Sequence, residues 1–235
     1  MTAKKSSSSI RAPLTTKELE KLTADDFVRL KLTEDEKARL REINKERERL
    51  RLEKSARLGA AEEPLVQALN GIGLDITSAW DLVNTRERYD AALPILAEHL
   101  ERDYPPEIQE GIARAMGVAA AMPWRPLFIR LIRNRPPMPP GKRDGFRDGL
   151  AVAIGNTTGP VNVEETLELL RDRSLGESRI LMISIFRKLK DPVVQQTLLD
   201  LREQEPELRI AISELPWVKK LDRERKQAEA AKPRH

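Results

Sequence analysis

The chain contains no cysteine. Disulfides, iron–sulfur clusters and thiolate zinc sites are therefore excluded, and the composition fits a reducing compartment. Histidine is almost absent too: there is only His99, plus His235 at the C-terminus, so no histidine-rich metal centre can be built. Aromatic residues make up only 4%. Convincing runs of alternating β-branched residues are missing, which argues against sheet. No apolar stretch approaches the roughly 20 residues that span a bilayer. The richest, "GIARAMGVAAAM", is short and carries Arg114. Lys4 and Lys5 precede Ser6–Ser9 rather than an apolar core, so the start does not read as a secretory signal. The expectation is a cytoplasmic protein with no membrane contact, no cofactor, no metal and no catalytic residues.

Charge and helix formers are plentiful. Charged residues reach 34%, with 42 basic against 38 acidic side chains and a net charge of +4. Ala, Leu, Glu, Arg and Ile dominate, most of them strong helix formers. Residues 1–14 are Ser-rich and aperiodic, and predict a disordered tail. Residues 15–62 predict a charged helical arm. Thr33 followed by Glu36 is a capping box, and it opens "TEDEKARLREINKERERLRLEKSARL", which has seven acidic and nine basic residues and neither Pro nor Gly. Asp35–Arg39, Glu53–Arg57, Glu42–Lys45, Glu46–Arg49 and Glu48–Arg51 have helical pairing distances. Leu40, Ile43 and Leu50 suggest a heptad seam, but Arg47 interrupts it. Self-association through the 33–58 helix is a reading this stripe leaves open. The Gly59–Pro64 region predicts a break, with a short helix after it.

Residues 63–220 settle into helices of 9–15 residues separated by turns rich in Pro, Gly, Asp and Asn. Pro94 must either kink "RYDAALPILAEHLE" or open its second half. Two stretches share one template: "GIARAMG" at 111–117 and "GLAVAIG" at 149–155, 38 residues apart. "ISIFRKL" at 183–189 continues the aliphatic pattern, and "EPELRIAISEL" follows about 30 residues later. Two helices per period of this length mark an α-solenoid, because a lone hairpin cannot bury its own apolar face. Ala113, Ala115, Ala151 and Ala153 permit close helix approach. Gly117 and Gly155 read as stop signals. The fold class expected is all-α: a short right-handed α-solenoid of stacked helical hairpins with an N-terminal charged arm. Residues 221–235 predict a basic C-terminal tail that prolongs a helix and then frays.

The motifs "YDAALPILAEHL", "PPEIQEGIARAMG", "GFRDGLAVAIG", "GESRILMISIFRKLKDPVVQQTLLDL" and "PELRIAISEL" resemble the HEAT-repeat superfamily over about residues 77–215. The resemblance implies a curved stack with a concave binding surface. HEAT-like hydroxylases hold two irons with paired His-Glu motifs. Here His99 is followed by Leu100, which excludes that chemistry. HEAT-like DNA glycosylases place Trp and Asp on a basic concave face. Trp80 with Asp81, and Trp124 with Arg125, do not match that motif residue by residue.

The segment Pro123–Arg147 carries the strongest charge bias. Arg125, Arg130, Arg133, Arg135, Lys142, Arg143 and Arg147 stand against one acid, Asp144. With Trp124 they form the candidate partner-binding set, suited to an acidic protein or a phosphate backbone. The bland alternative is an outer face whose Arg stems cover apolar surface. The expected function is a non-enzymatic scaffold that binds a protein partner. The alternative is a nucleic-acid-binding HEAT-like protein with glycosylase-type repair activity. "RNRPPMPPGKR" predicts a stiff loop between helices, and "GLAVAIGNTTGP" lacks the Gly-Lys-Ser/Thr ending of a phosphate loop.

Overall fold

Threonine and serine caps set where the first helices begin. In the computed structural model, which describes residues 11–137, 139, 141–188 and 190–230, Thr15, Thr23 and Ser78 each close a capping box, opening α1 (Thr16–Leu19), α2 (Ala24–Arg29) and α4 (Ala79–Asn84). Between α2 and α4 lies α3 (Glu34–Asn70). The chain divides into two units, Met1–Leu58 and Gly59–His235. Among the described residues there is no strand.

In the first unit, Thr33 and Glu36 cap α3 reciprocally: the Thr33 N–H donates to Glu36 Oε2 at 2.8 Å and the Glu36 N–H to Thr33 Oγ1 at 3.2 Å. The same carboxylate accepts from the Leu14 N–H at 2.7 Å and from Arg11 at 2.8 Å. Residues 11–14 are thus tied to the helix start, where the sequence predicts a disordered tail; residues 1–10 lie outside the described residues. The Leu14 and Thr33 N–H groups, helped by Arg11, hold the buried Glu36 carboxyl at a pKa of about 2. Arg49 pairs with both Glu46 and Glu53, and Arg51 with Glu48. Arg47, which interrupts the apolar seam, donates to the Glu20 carbonyl at 2.8 Å.

The expected break at Gly59–Pro64 does not occur. α3 runs through Pro64. Proline removes one backbone donor there, but Leu65 and Leu69 beyond it are fully buried, and their burial offsets the lost bond. Glu62, also buried, caps α4 by accepting from the Ala79 N–H at 2.7 Å.

The second unit continues with α5 (Leu93–Leu100), α6 (Pro106–Ala115), α7 (Arg125–Arg133), α8 (Gly145–Asn156) and α9 (Val163–Arg171). A long 3-10 helix follows, Arg173–Lys188, broken at Gly176 (φ 57°, ψ −145°), a backbone conformation that glycine tolerates. Then come α10 (Pro192–Gln204), α11 (Pro206–Ser213) and α12 (Pro216–Ala230). Of the two readings of Pro94 the second holds: it opens α5 rather than kinking a longer helix. It sits in the first turn of α5, where its missing N–H costs nothing. The expected tail at 221–235 belongs to α12 as far as Ala230; residues 231–235 lie outside the described residues.

Contacts between these helices follow chain order. One row packs α4 on α6, α6 on α8, α8 on Arg173–Lys188, and that segment on α11. Each of the last four also packs against the helix preceding it: α5 on α6, α7 on α8, α9 on Arg173–Lys188, α10 on α11. Ile112, Ala113, Leu150, Ala153, Ile154, Met182, Ile183, Leu208 and Ile212 fill the row's core. The repeated glycines lie at its tightest contacts. A Cβ on Gly149 would stand 2.6 Å from the Ala113 Cβ and 3.1 Å from the Glu110 carbonyl. One on Gly111 would stand 2.9 Å from Trp80 Nε1. The first glycine of each copy thus serves a close approach: Gly149 lets α8 meet the α6 backbone, and Gly111 makes room for the Trp80 indole. Gly117 follows α6 as a stop, and its carbonyl accepts from Asn156 Nδ2 at 2.6 Å. Gly155 lies inside α8, one residue before its end, rather than beyond it.

Candidate interaction surface

The charged side chains of the row form a chain of contacts across successive helices. On α6, Glu110 Oε1 accepts from Arg114 Nε at 2.8 Å and from Arg143 Nη2 at 3.1 Å. Arg143, in the loop before α8, also donates through Nε to Asp148 Oδ2 at 2.6 Å. Asp148 Oδ1 accepts from Ser178 Oγ on the 3-10 helix at 2.7 Å. Arg114 lies over the Trp80 ring, 6.0 Å from its centroid, and the Trp80 indole donates to the Glu107 carbonyl at 3.3 Å. Four consecutive elements thus contribute to one row of alternating charge. Asp148 first, then Glu110, raises the Arg143 guanidinium above its ordinary pKa.

Of this row, only Trp80 and Arg143 were candidates on sequence grounds. Glu110 and Arg114 were legible as an i,i+4 pair, but nothing local marks Asp148 or Ser178. The Ser178–Asp148 bond joins the 173–188 segment to α8, and Arg143 reaches Asp148 from the loop just before α8.

The eight residues expected to bind a partner separate into two groups. Two are unavailable at the surface. Arg125 is 4% exposed. It donates to the Ile154 carbonyl (2.7 Å), Thr158 Oγ1 (3.0 Å), Thr166 Oγ1 (2.7 Å) and Glu165 (3.1 Å), fastening the start of α7 to the end of α8 and to α9. Burial lowers its pKa, and Glu165 opposes that shift. Arg147 is 1% exposed and donates to the Pro136 carbonyl at 2.5 Å and the Ser174 carbonyl at 3.2 Å, while its Nε has no partner among the described residues. It clamps the proline-rich loop, whose Met138 and Pro140 lie outside the described residues. Both arginines are corrections to the expected contact set: local charge density does not reveal depth.

The other six reach the surface. Arg130 pairs with Glu101 at 2.7 Å, and Arg133 lies 3.9 Å from Glu168. Arg135 pairs with Asp144 at 2.8 Å and stacks over Phe146. Arg143 bridges Glu110 and Asp148, and Lys142 is exposed beside it. Trp124 is half-buried. With Pro94, Pro126, Leu127, Glu101 and Arg130 it lines an open hollow of about 550 Å3. The patch that looks uniformly basic along the chain is therefore mixed in space.

His99 is buried and hydrogen-bonded, its Nδ1 2.7 Å from Tyr104 Oη, with the rings stacked at 5.9 Å. Among the described residues no cluster of His, Cys, Asp and Glu is arranged to hold a metal ion, and no helix is long and apolar enough to cross a membrane.

No family model, curated protein or solved structure matches this chain. The functional reading therefore stands on the geometry.

Proposed function

We propose that this chain is a non-enzymatic scaffold of HEAT-repeat type. Its second unit is a short right-handed α-solenoid that binds a protein partner across the row α4–α6–α8–(173–188)–α11 and the adjoining surface of Trp124, Arg130, Arg133 and Arg143. The serial contacts of the helices support the solenoid. The carrying observation for the partner is the mixed charge of the row: the part-buried Glu110 and Arg114 and the buried Asp148 lie within ion-pairing distance of one another or of the exposed Arg143, so no uncompensated cationic track is presented. A phosphate backbone is best bound by cations without carboxylates beside them, since each neutralised phosphate releases counterions. A protein surface carrying charges of both signs complements such a row and draws specificity from it.

The test is affinity capture on the full chain, with the double variant Arg130→Glu/Arg143→Glu as comparison. A protein retained by the native chain and lost by the variant supports the reading. Equal retention by both removes this surface from it. Anisotropy titrations against single- and double-stranded DNA and RNA address the rival: low-salt binding that weakens steeply with added salt would establish a nucleic-acid binder instead.

A further inference from the structure

A second surface of the same unit shares the 173–188 segment with this row but none of its paired charges. The turn before α9 and the turn before α10 enclose a cavity of about 340 Å3, at the small end of ligand pockets, which run roughly 300–1,000 Å3. Pro160, Val163, Ile185, Phe186 and Val194 form its apolar walls, and Lys188 and Asp191 also line it. Next to these wall residues in sequence are two valines turned out to solvent, Val161 at 92% and Val193 at 75% exposure. Large apolar side chains so exposed, grouped beside an apolar hollow, mark a contact surface rather than scattered surface hydrophobes.

Charge decides what fits there. Arg187, Lys188 and Lys190 are exposed. Among the described residues none of the three has a carboxylate within ion-pairing distance, in contrast to the paired arginines of the 123–147 segment. Asp191 is the one acid in this stretch. Its Oδ1 accepts from the Val193 N–H at 2.9 Å and the Val194 N–H at 3.3 Å, capping α10. Asp191 thus lines the hollow with its carboxylate engaged at the start of α10, and Lys188 is the lining charge without an ion-pair partner among the described residues.

We infer that this cavity docks a short acidic–apolar peptide segment of a partner protein: an apolar side chain enters between Val163, Ile185 and Val194, and neighbouring carboxylates meet Lys188 and Lys190. Val161 and Val193 close over the peptide on either side. An anionic membrane would call for protruding apolar side chains, and a nucleic acid for a cationic track without flanking valines. A recessed pocket with a charged rim is the pattern of peptide recognition.

A displayed random-peptide library selected on the full chain tests this. The expected result is enrichment of peptides with an apolar residue flanked by Asp or Glu. An enriched peptide, labelled and titrated by anisotropy, should bind about tenfold more weakly to Val193→Asp and to Lys188→Glu. Both variants should keep the native circular dichroism and melting temperature, since both positions are exposed. Arg130→Glu/Arg143→Glu should bind the peptide normally, which separates this site from the surface proposed above. The inference is overturned if no such enrichment occurs or if the two variants bind the peptide unchanged. It is equally overturned if they instead lose binding to phosphatidylserine vesicles or to an oligonucleotide.

Discussion

Adding one methyl group at Gly149 probes the α6–α8 contact directly. The new Cβ would lie 2.6 Å from the Ala113 Cβ and 3.2 Å from the Arg114 nitrogen, whereas carbon atoms rest at about 3.5–4.0 Å. The helices must part by about 1 Å, and overpacking of this kind costs about 1–3 kcal/mol. Alanine also gains about 1 kcal/mol of helix propensity over glycine, which hides part of the effect. Gly59, in α3, supplies the control, because a Cβ there meets nothing within 4 Å. Gly149→Ala should therefore be about 1–3 kcal/mol less stable than Gly59→Ala. At about 2–4 °C per kcal/mol for a unit of this size, the melting temperatures should differ by about 2–12 °C. Removing the opposing methyl with Ala113→Gly should recover part of the loss at Gly149. A Gly149→Ala protein as stable as Gly59→Ala, or no coupling to Ala113, would refute the close packing.

Arg125→Ala should cost about 2–4 kcal/mol, since it deprives several buried acceptors of their donor, whereas Arg133→Ala, exposed and loosely paired, should stay within about 0.5 kcal/mol; parallel urea titrations measure both. Glu36 binds its proton more weakly when folded than when unfolded, so its contribution is present above a pH of about 4.5 and is lost as pH falls toward its folded value of about 2. Hydrogen exchange at the Leu14 amide should accelerate across that window, and in Glu36→Gln should already be fast at neutral pH. His99 has its pKa lowered, chiefly by burial and further by Arg102, with Glu98 opposing. The unfolded chain therefore takes up a proton that the folded chain resists, and stability should fall as pH drops below about 6.5. A melting temperature flat through that range in the native chain, or one that falls as steeply in His99→Phe, would exclude this contribution.

Helix starts were legible because the responsible residues are local. Thr33 with Glu36 acts within three residues and was read on that ground; Asp144 and Asp191, which cap α8 and α10, act just as locally but were not singled out. Pro64 was misjudged for a physical reason: a proline's effect depends on what the neighbouring helix face buries, and Leu65 and Leu69 hold α3 together past it. The candidate surface was less legible. Arg125 and Arg147 have the same local charge environment as Arg130 and Arg133, and only tertiary burial separates them. Asp148 reads as a helix-start acid along the chain, yet its partners Arg143 and Ser178 make it a junction between three elements. The stop-signal reading concerned Gly117 and Gly155; the opening glycines of the template carry different information. Gly111 and Gly149 mark where helix faces meet, which is a fact about neighbours one period away.

The stacking of hairpins is tested most directly by thermal unfolding of a chain ending at Lys190, which removes the hairpin α10–α11 together with α12. That truncation deletes Glu205 and Glu207, the partners of buried Arg179, and Trp217, whose indole donates to the Phe186 carbonyl at 2.9 Å. A serial stack loses one interface and keeps the rest, so the shortened protein should retain its helical circular dichroism and a cooperative transition at a lower temperature. Loss of helical signal throughout, or of cooperativity, would contradict the account.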